Sequence, residues 1–171
     1  QITGSNVLNK GAGSQPNKSL IDGIVVLQTL ASSKVPVGTR ELARQLSMEN
    51  SRVNRILKTL SFLGMARQTR DRKYTSGSGL HVLASQTLFQ SQQINRALEP
   101  LEKLHSYNLV VAMGVLWGEN VSYFYHAEPK MDKVEALGRV GLYPATQSGL
   151  GISLLAALPD EEILNIYKDK K

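Results

Sequence analysis

A chain of 171 residues and 18.8 kDa has room for one medium domain or two small ones. With 42% hydrophobic and 20% charged residues it is not a wholly disordered chain. The absence of cysteine excludes a disulfide-stapled fold, a thiolate metal site and a cysteine nucleophile. The net charge of +6 is unevenly placed. Up to Ser78 there are twelve basic residues against four acidic ones, net +8, whereas the remainder carries −2. The first part is therefore expected to face a polyanion and the second a different partner. The longest apolar stretch, residues 109–117, is interrupted by Gly114 and too short to cross a bilayer. No charged-then-apolar leader opens the chain, so the expected location is cytoplasmic, with no membrane partner. The first residue is Gln1 rather than Met, which reads as a trimmed start.

In chain order, residues 1–17 are rich in Gly, Ser and Asn and read as a disordered leader. Leu20, Ile21, Ile24, Leu27 and Leu30 then recur at helical spacing, and the stretch 32–38, containing Pro36, ends that helix. Thr39 is the expected N-cap of a second helix, 40–46, with Leu42, Ala43 and Leu46 inward. After a break at Ser47 and Met48, a third helix is predicted from Asn50 to about residue 63. It has Val53, Ile56, Leu57 and Leu60 on one face and Gly64 as its terminating glycine. Segments 65–68 and 73–76 flank the turn Thr69-Arg70-Asp71-Arg72 and predict a small hairpin. Two short helices, a tight break, a third helix and a hairpin make a winged helix-turn-helix over residues 18–78.

The helical pattern resumes with Leu80, Leu83, Leu88, Ile94, Leu98, Leu101 and Leu104, a linker or dimerisation region over 79–104 that Pro100 is expected to break or bend. Residues 108–117 and 121–126 surround Gly118-Glu119-Asn120 and read as an antiparallel hairpin. A further strand is predicted at 134–140, a helix at 148–158, and a short helix at 161–167 opened by Pro159-Asp160. The fold class is α+β, with a second domain over 105–171. No internal repeat is present.

Helical arithmetic turns Ser51, Arg55 and Lys58 away from the apolar face of the third helix. Arg52 and Asn54 flank that outward side, and Asn50 stands at the helix start. Arg bonds guanine and Asn bonds adenine in a bidentate manner in the major groove, so a recognition helix needs this mixture in its first turns. Thr39, Arg40 and Arg44 on the preceding helix, with Arg70, Arg72 and Lys73 on the wing, suit phosphate contact. A charged helix face alone is ordinarily just solvated. The charge imbalance, the order of elements and the basic wing tip together favour double-stranded DNA as the partner. The competing reading is a winged-helix protein-interaction module that never reads DNA. A small-molecule enzyme is disfavoured, because no acid, base and nucleophile constellation is present.

The run Arg40-Glu41-Leu42-Ala43-Arg44-Gln45-Leu46, then residues 50–60 closing at Gly64, resembles the isocitrate-lyase-regulator (IclR) family of bacterial transcription factors. The wing ending in Lys73-Tyr74 looks like that family's hairpin close, and residues 144–156 are similar to its effector-domain signature. The resemblance spans residues 19–167. It implies a winged helix, a linker helix used in dimerisation, and a GAF-like α/β effector domain with an antiparallel sheet, of which 105–171 would be the N-terminal part. It also implies homodimers or pairs of dimers on palindromic operators, controlling catabolic genes in response to an organic or aromatic acid. Ser148, Gly149 and Leu150 match the stretch that lines the family's ligand pocket. A glycine opening a helix lets a ligand approach free N–H groups, although Gly149 and Gly151 serve tight packing equally well. Ile152 stands where many members carry Lys or Arg, and the family normally continues beyond the position of Lys171 with more of the effector sheet.

No cofactor or metal is implied. His81, His105 and His126 lack any ligand spacing, and His126 is a candidate to face an effector. Residues 77–79, Gly-Ser-Gly, read as a flexible join and not a phosphate loop, and Ser148 reads as a helix cap and not a nucleophile. Trp117, Tyr123, Phe124 and Tyr125 are expected in sheet core and interface.

Overall fold

The computed structural model describes residues 15–131, 133–136 and 141–168. They fall into two compact units that divide between Ser91 and Gln92. The expected leader lies outside the described residues up to residue 14.

In the first unit, Asn17 starts α1 (Lys18–Ser32) by accepting the Ser19 and Leu20 amides on its side chain at 3.0 and 3.1 Å. Helix α2 (Thr39–Gln45) begins one residue earlier than predicted. Gly38 is its N-cap and Thr39 is its first helical residue, with no side-chain cap. The expected Thr39 cap is thereby corrected: glycine also tolerates the cap conformation, and the turn is drawn in by the pairing of Val37. At the tight break Ser47 takes a positive φ of 52°, and the Met48 amide closes back on the Ala43 carbonyl at 2.9 Å.

Helix α3 (Asn50–Phe62) ends in a Schellman motif. Gly64, at φ 71°, donates to the Ser61 carbonyl at 3.0 Å, and Met65 donates to the Leu60 carbonyl at 2.8 Å. Strands β1 (Ala66–Gln68) and β2 (Tyr74–Ser76) form the predicted hairpin, with Arg67 opposite Thr75. Val37 adds a third, one-residue rung by exchanging two 2.8 Å backbone bonds with Tyr74. One core joins Val26 and Leu30 of α1, Leu42 and Ala43 of α2, Val53, Leu57 and Leu60 of α3, and Ala66 and Tyr74 of the hairpin. Burial of these side chains holds the three helices and the wing together as one body.

Residues 77–79 are not the flexible join their composition predicts. Gly77 donates to the Met65 carbonyl at 2.8 Å, and Gly79 donates to the Gly64 carbonyl at 2.9 Å. A Cβ on Gly77 would lie 2.2 Å from the Gly64 oxygen. These glycines permit close backbone crossing, which is as common a use of Gly as flexibility. Helix α4 (Gly79–Gln90) follows, with every position from 81 to 90 exposed.

The break in the next segment falls at Ser91, not at Pro100. Ser91 is extended (ψ 100°), and its amide caps α4 on the Leu88 carbonyl at 3.2 Å. Pro100 instead sits inside α5 (Gln92–His105), the first helix of the second unit. Proline fits a helical φ, and the cost is one missing amide donor in a helix that keeps the bonds on either side.

The second unit builds an antiparallel sheet in the order β3-β4-β5. Strands β3 (Val111–Trp117) and β4 (Asn120–Ala127) turn over Gly118 and Glu119, with Gly118 at φ 59° as tight hairpins favour. The register slips between Met113 and Gly114: Met113 faces Tyr125, but Gly114 faces Tyr123, leaving Phe124 as the bulged residue. The strand expected over 134–140 is corrected in its first part. Residues Lys133–Ala136 form a one-turn helix, α6, and 137–140 lie outside the described residues. A short run of apolar residues broken by Glu135 and Arg139 allows either period, and the buried Ala136 fits beneath the sheet because its side chain is small.

Strand β5 (Tyr143–Pro144) pairs with β4, a short 3-10 turn spans Ala145–Gln147, and α7 (Gly149–Ala156) and α8 (Asp160–Tyr167) follow. One face of the sheet carries Val111, Met113, Tyr125 and Ala127, packed with Leu101 of α5 and with Met131 and Ala136. No described helix is long and apolar enough to cross a membrane.

Candidate nucleic-acid interface

The core face of α3 settles where its other side chains go. With Val53, Leu57 and Leu60 buried, Ser51, Arg55 and Lys58 are exposed, as is Asn50 in the opening turn. Asn54 is half-buried beside them. Arg55 and Lys58 make no ion pair among the described residues, so their charge is available to an external anion. On α2, Arg40 and Arg44 are exposed one helical turn apart, while Thr39 is half-buried.

Arg52 is placed differently from the outward flank expected of it. Its guanidinium ion-pairs with Asp22 of α1, and Asp22 is only 9% exposed. Residues 22 and 52 are far apart in sequence, and helical spacing alone leaves Arg52 beside the solvent face. The attraction of a buried carboxylate on a neighbouring helix draws it back into the body.

In the wing, Arg70, Arg72 and Lys73 are all exposed. The loop is tied by the Thr69 amide on the Lys73 carbonyl at 2.8 Å and the Arg72 amide on the Thr69 carbonyl at 3.0 Å, with Arg72 at φ 61°. The Thr69 hydroxyl donates to the Asp71 carboxylate at 2.6 Å, and Lys73 lies 3.8 Å from the same carboxylate. The Thr69 bond above all holds the Asp71 carboxyl below its ordinary range; desolvation opposes it, and a backbone hydrogen bond and then the Lys73 charge add to the lowering. Lys73 is thus partly neutralised at home, whereas Arg70 and Arg72 make no ion pair among the described residues. Arg67, exposed on β1 and absent from the predicted set, belongs to the same basic wing. Strand alternation with buried Ala66 was the signal that could have found it.

In the second unit, Ser148 is the N-cap of α7, accepting the Gly151 amide on its hydroxyl at 2.9 Å, as its cap reading predicts. Its oxygen therefore serves the helix. Gly149 is exposed with open space where a Cβ would stand, while Gly151 is buried with the Ala145 carbonyl 2.3 Å from that position. The two glycines divide the roles foreseen for them: Gly151 permits close packing and Gly149 leaves the helix start open. Leu150 is half-buried, its Cδ2 3.1 Å from where Gly114 would carry a Cβ.

Because of the bulge at Phe124, Tyr123 takes the place opposite Gly114 that Phe124 would hold in an unbroken register, and shares a sheet face with His126. Tyr123 meets His126 and Tyr143 edge-on, at ring separations of 5.5 and 5.7 Å. Tyr125 is buried on the opposite face, and Trp117 is exposed at the hairpin end. Among the described residues no three His, Asp or Glu side chains gather as a metal site would require.

The IclR helix-turn-helix domain family matches residues 19–70, which spans α1 to the wing turn. No curated protein matches the chain significantly. Among solved structures, an IclR-family transcriptional regulator from Brucella abortus superposes with a TM-score of 0.74 at 22% identity, over 93% of this chain and 62% of that one. A second, from Alicyclobacillus acidocaldarius, gives 0.71 at 21% identity over 91% and 64%. An IclR homologue from Microbacterium hydrocarbonoxydans, solved with 4-hydroxybenzoate, gives 0.64 at 24% identity over 86% and 63%. The chain thus spans about three fifths of the length of the structures it matches. Residues 19–70 thus match the IclR helix-turn-helix domain family, and the fold of the chain is similar to that of IclR-family transcriptional regulators.

Proposed function

We propose that this chain is a sequence-specific, effector-responsive DNA-binding regulator that works as a homodimer or a pair of dimers. The observation that carries the reading is the set of exposed basic side chains on one winged helix: Arg55 and Lys58 on α3, Arg40 and Arg44 on α2, and Arg70 and Arg72 on the wing. Helix α3, of 13 residues, is about 20 Å long, and a B-DNA major groove about 12 Å wide admits it. In this reading Asn50, Ser51, Asn54 and Arg55 meet base edges, and Arg40, Arg44, Lys58, Arg70, Arg72 and Lys73 meet phosphates, with Thr39 near the backbone.

Residues 18–78 form the reading domain, 79–104 the linker and dimerisation region, and 105–171 the N-terminal part of an effector domain. Exposure of Val82, Leu83, Leu88 and Phe89 along α4 supports a helix that a second copy covers. The effector would approach α7 at Ser148, Gly149 and Leu150, where Gly149 leaves the backbone open. An organic or aromatic acid suits N–H groups at a helix start, and the neighbour holding 4-hydroxybenzoate supports that class. Occupancy would change the placement of two winged helices through 80–104, and hence the half-site spacing they fit.

Anisotropy titration of the protein against a palindromic duplex selected from a random pool, with a scrambled duplex as control, tests the reading. Tighter binding of the selected duplex is expected, steepening as salt falls. Equal affinity for the two duplexes refutes it. A thermal-shift screen of small organic acids, 4-hydroxybenzoate among them, should raise the unfolding temperature with at least one acid.

A further inference from the structure

We infer that Asp22 is a positioning residue for DNA reading: it holds Arg52 back in an ion pair and thereby fixes the rotation of α3 and withdraws one cation from the reading surface. The inference rests on the DNA-reading role proposed above. Asp22 is the buried charged residue among those described, on a helix otherwise turned inward by Val25, Val26 and Leu30. A carboxylate is costly to bury unless a cation meets it, and Arg52 is the cation that does. Arg52 lies between Ser51 and Val53, at the border between the exposed and buried sides of α3. Anchoring it to α1 adds a directional constraint on the rotation of α3 to the close packing at Val53 and Leu57.

The consequence for recognition is a narrower reading set. Arginine is the commonest side chain to bond guanine, and a free Arg in the third position of a recognition helix would also find phosphates of any sequence. With Arg52 neutralised, discrimination falls to Asn50, Ser51, Asn54 and Arg55. Asp22 therefore acts through Arg52, improving the ratio of specific to indiscriminate binding without touching DNA.

The test uses the intact protein, a duplex selected from a random pool by the wild type, and a scrambled duplex, each titrated across a salt series. In Asp22→Asn the released Arg52 should strengthen binding to the scrambled duplex by about 3- to 10-fold. It should also steepen the dependence of log K on log salt by about one phosphate's worth. Arg52→Gln should leave that slope at the wild-type value. A merely structural role would weaken both duplexes and steepen nothing. A slope that falls in Arg52→Gln, or stays fixed in Asp22→Asn, overturns the inference. Independently of DNA, urea unfolding of the two single variants and their double should combine far from additively, as directly paired charges do. Additive effects overturn the pair itself. The charge reversal Asp22→Arg with Arg52→Asp should restore discrimination, and a folded double variant that fails to do so also counts against the inference. Failure of the wild type to discriminate while the unfolding coupling stands would refute the DNA reading and leave the pair in place.

Discussion

Replacing Gly77 by alanine should cost the first unit more than almost any other single methyl group could. The added Cβ would sit 2.2 Å from the Gly64 carbonyl oxygen and 2.9 Å from the Met65 carbonyl carbon, both backbone atoms. No side-chain rotation relieves that clash, so the crossing strand has to move. Moving it stretches the hydrogen bonds that the Gly77 and Gly79 amides donate to the Met65 and Gly64 carbonyls, now 2.8 and 2.9 Å. Loss of both is worth about 1–3 kcal/mol, and overpacking adds about 1–3 kcal/mol. With partial relaxation we expect Gly77→Ala to destabilise by about 2–4 kcal/mol. A domain of this size shifts by about 4–8 °C for each kcal/mol, so the melting temperature should fall by roughly 10 °C or more.

Gly23 supplies the control. It lies inside α1 with nothing within 4 Å of the Cβ position. Alanine there should stabilise by about 0.5–1 kcal/mol through helix propensity. Far-UV circular dichroism follows the helices of both units, fluorescence of the single tryptophan, Trp117 on β3, follows the second alone, and the transition seen only by the former belongs to the first. A Gly77→Ala protein melting with the wild type, or a Gly23→Ala protein melting as low as Gly77→Ala, would refute the close-crossing account.

Arg55→Gln should weaken the selected duplex by about 1–3 kcal/mol while barely changing the scrambled one, if Arg55 meets a base edge; anisotropy at fixed salt checks this, and a winged helix that binds only proteins would show no change. Arg70→Ala and Arg72→Ala should each weaken both duplexes alike and lower the salt slope by about 0.9, since wing arginines meet phosphates. Ser148→Ala removes the oxygen that accepts the Gly151 amide and should cost about 0.5–2 kcal/mol of stability, read from the Trp117 unfolding transition. Asp71 has its carboxyl held below the ordinary value in the folded wing, so its stabilising effect is present above that value and fades as pH falls through the lowered one. The unfolding midpoints of wild type and Asp71→Asn should therefore differ at neutral pH and converge in strong acid.

The winged helix was legible in the sequence because each of its devices is local. Apolar spacing over Val53, Ile56, Leu57 and Leu60, a glycine at 64 and a four-residue turn at 69–72 each specify one element through neighbouring residues. Where the reading missed, the deciding partner lay elsewhere in the chain. Gly77 looks flexible until the Gly64 carbonyl is beside it. Pro100 looks like a break, but the backbone turns at Ser91, which no composition rule marks. The bulge at Phe124 is set by pairing with β3, and the one-residue slip puts Tyr123 in place of Phe124 on the face that carries His126.

The basic face shows the same division most clearly. Periodicity sorts side chains into inward and outward, and on α3 it does so correctly for Ser51, Arg55 and Lys58. It is silent on whether an outward cation is already satisfied. Three basic residues of the predicted interface illustrate the range: Arg55 unpaired among the described residues, Lys73 sharing the exposed Asp71, and Arg52 held by the buried Asp22. Screening by solvent makes the Lys73 pair weak, so phosphate can displace Asp71 with little loss. In the Arg52 pair the acid is shielded while the guanidinium is half-buried, and a phosphate that took Arg52 would leave a carboxylate stranded in the body of the domain. Equal charges in the sequence are therefore unequal ligands for DNA, and the order in which they yield to phosphate follows the burial of the acid each one faces.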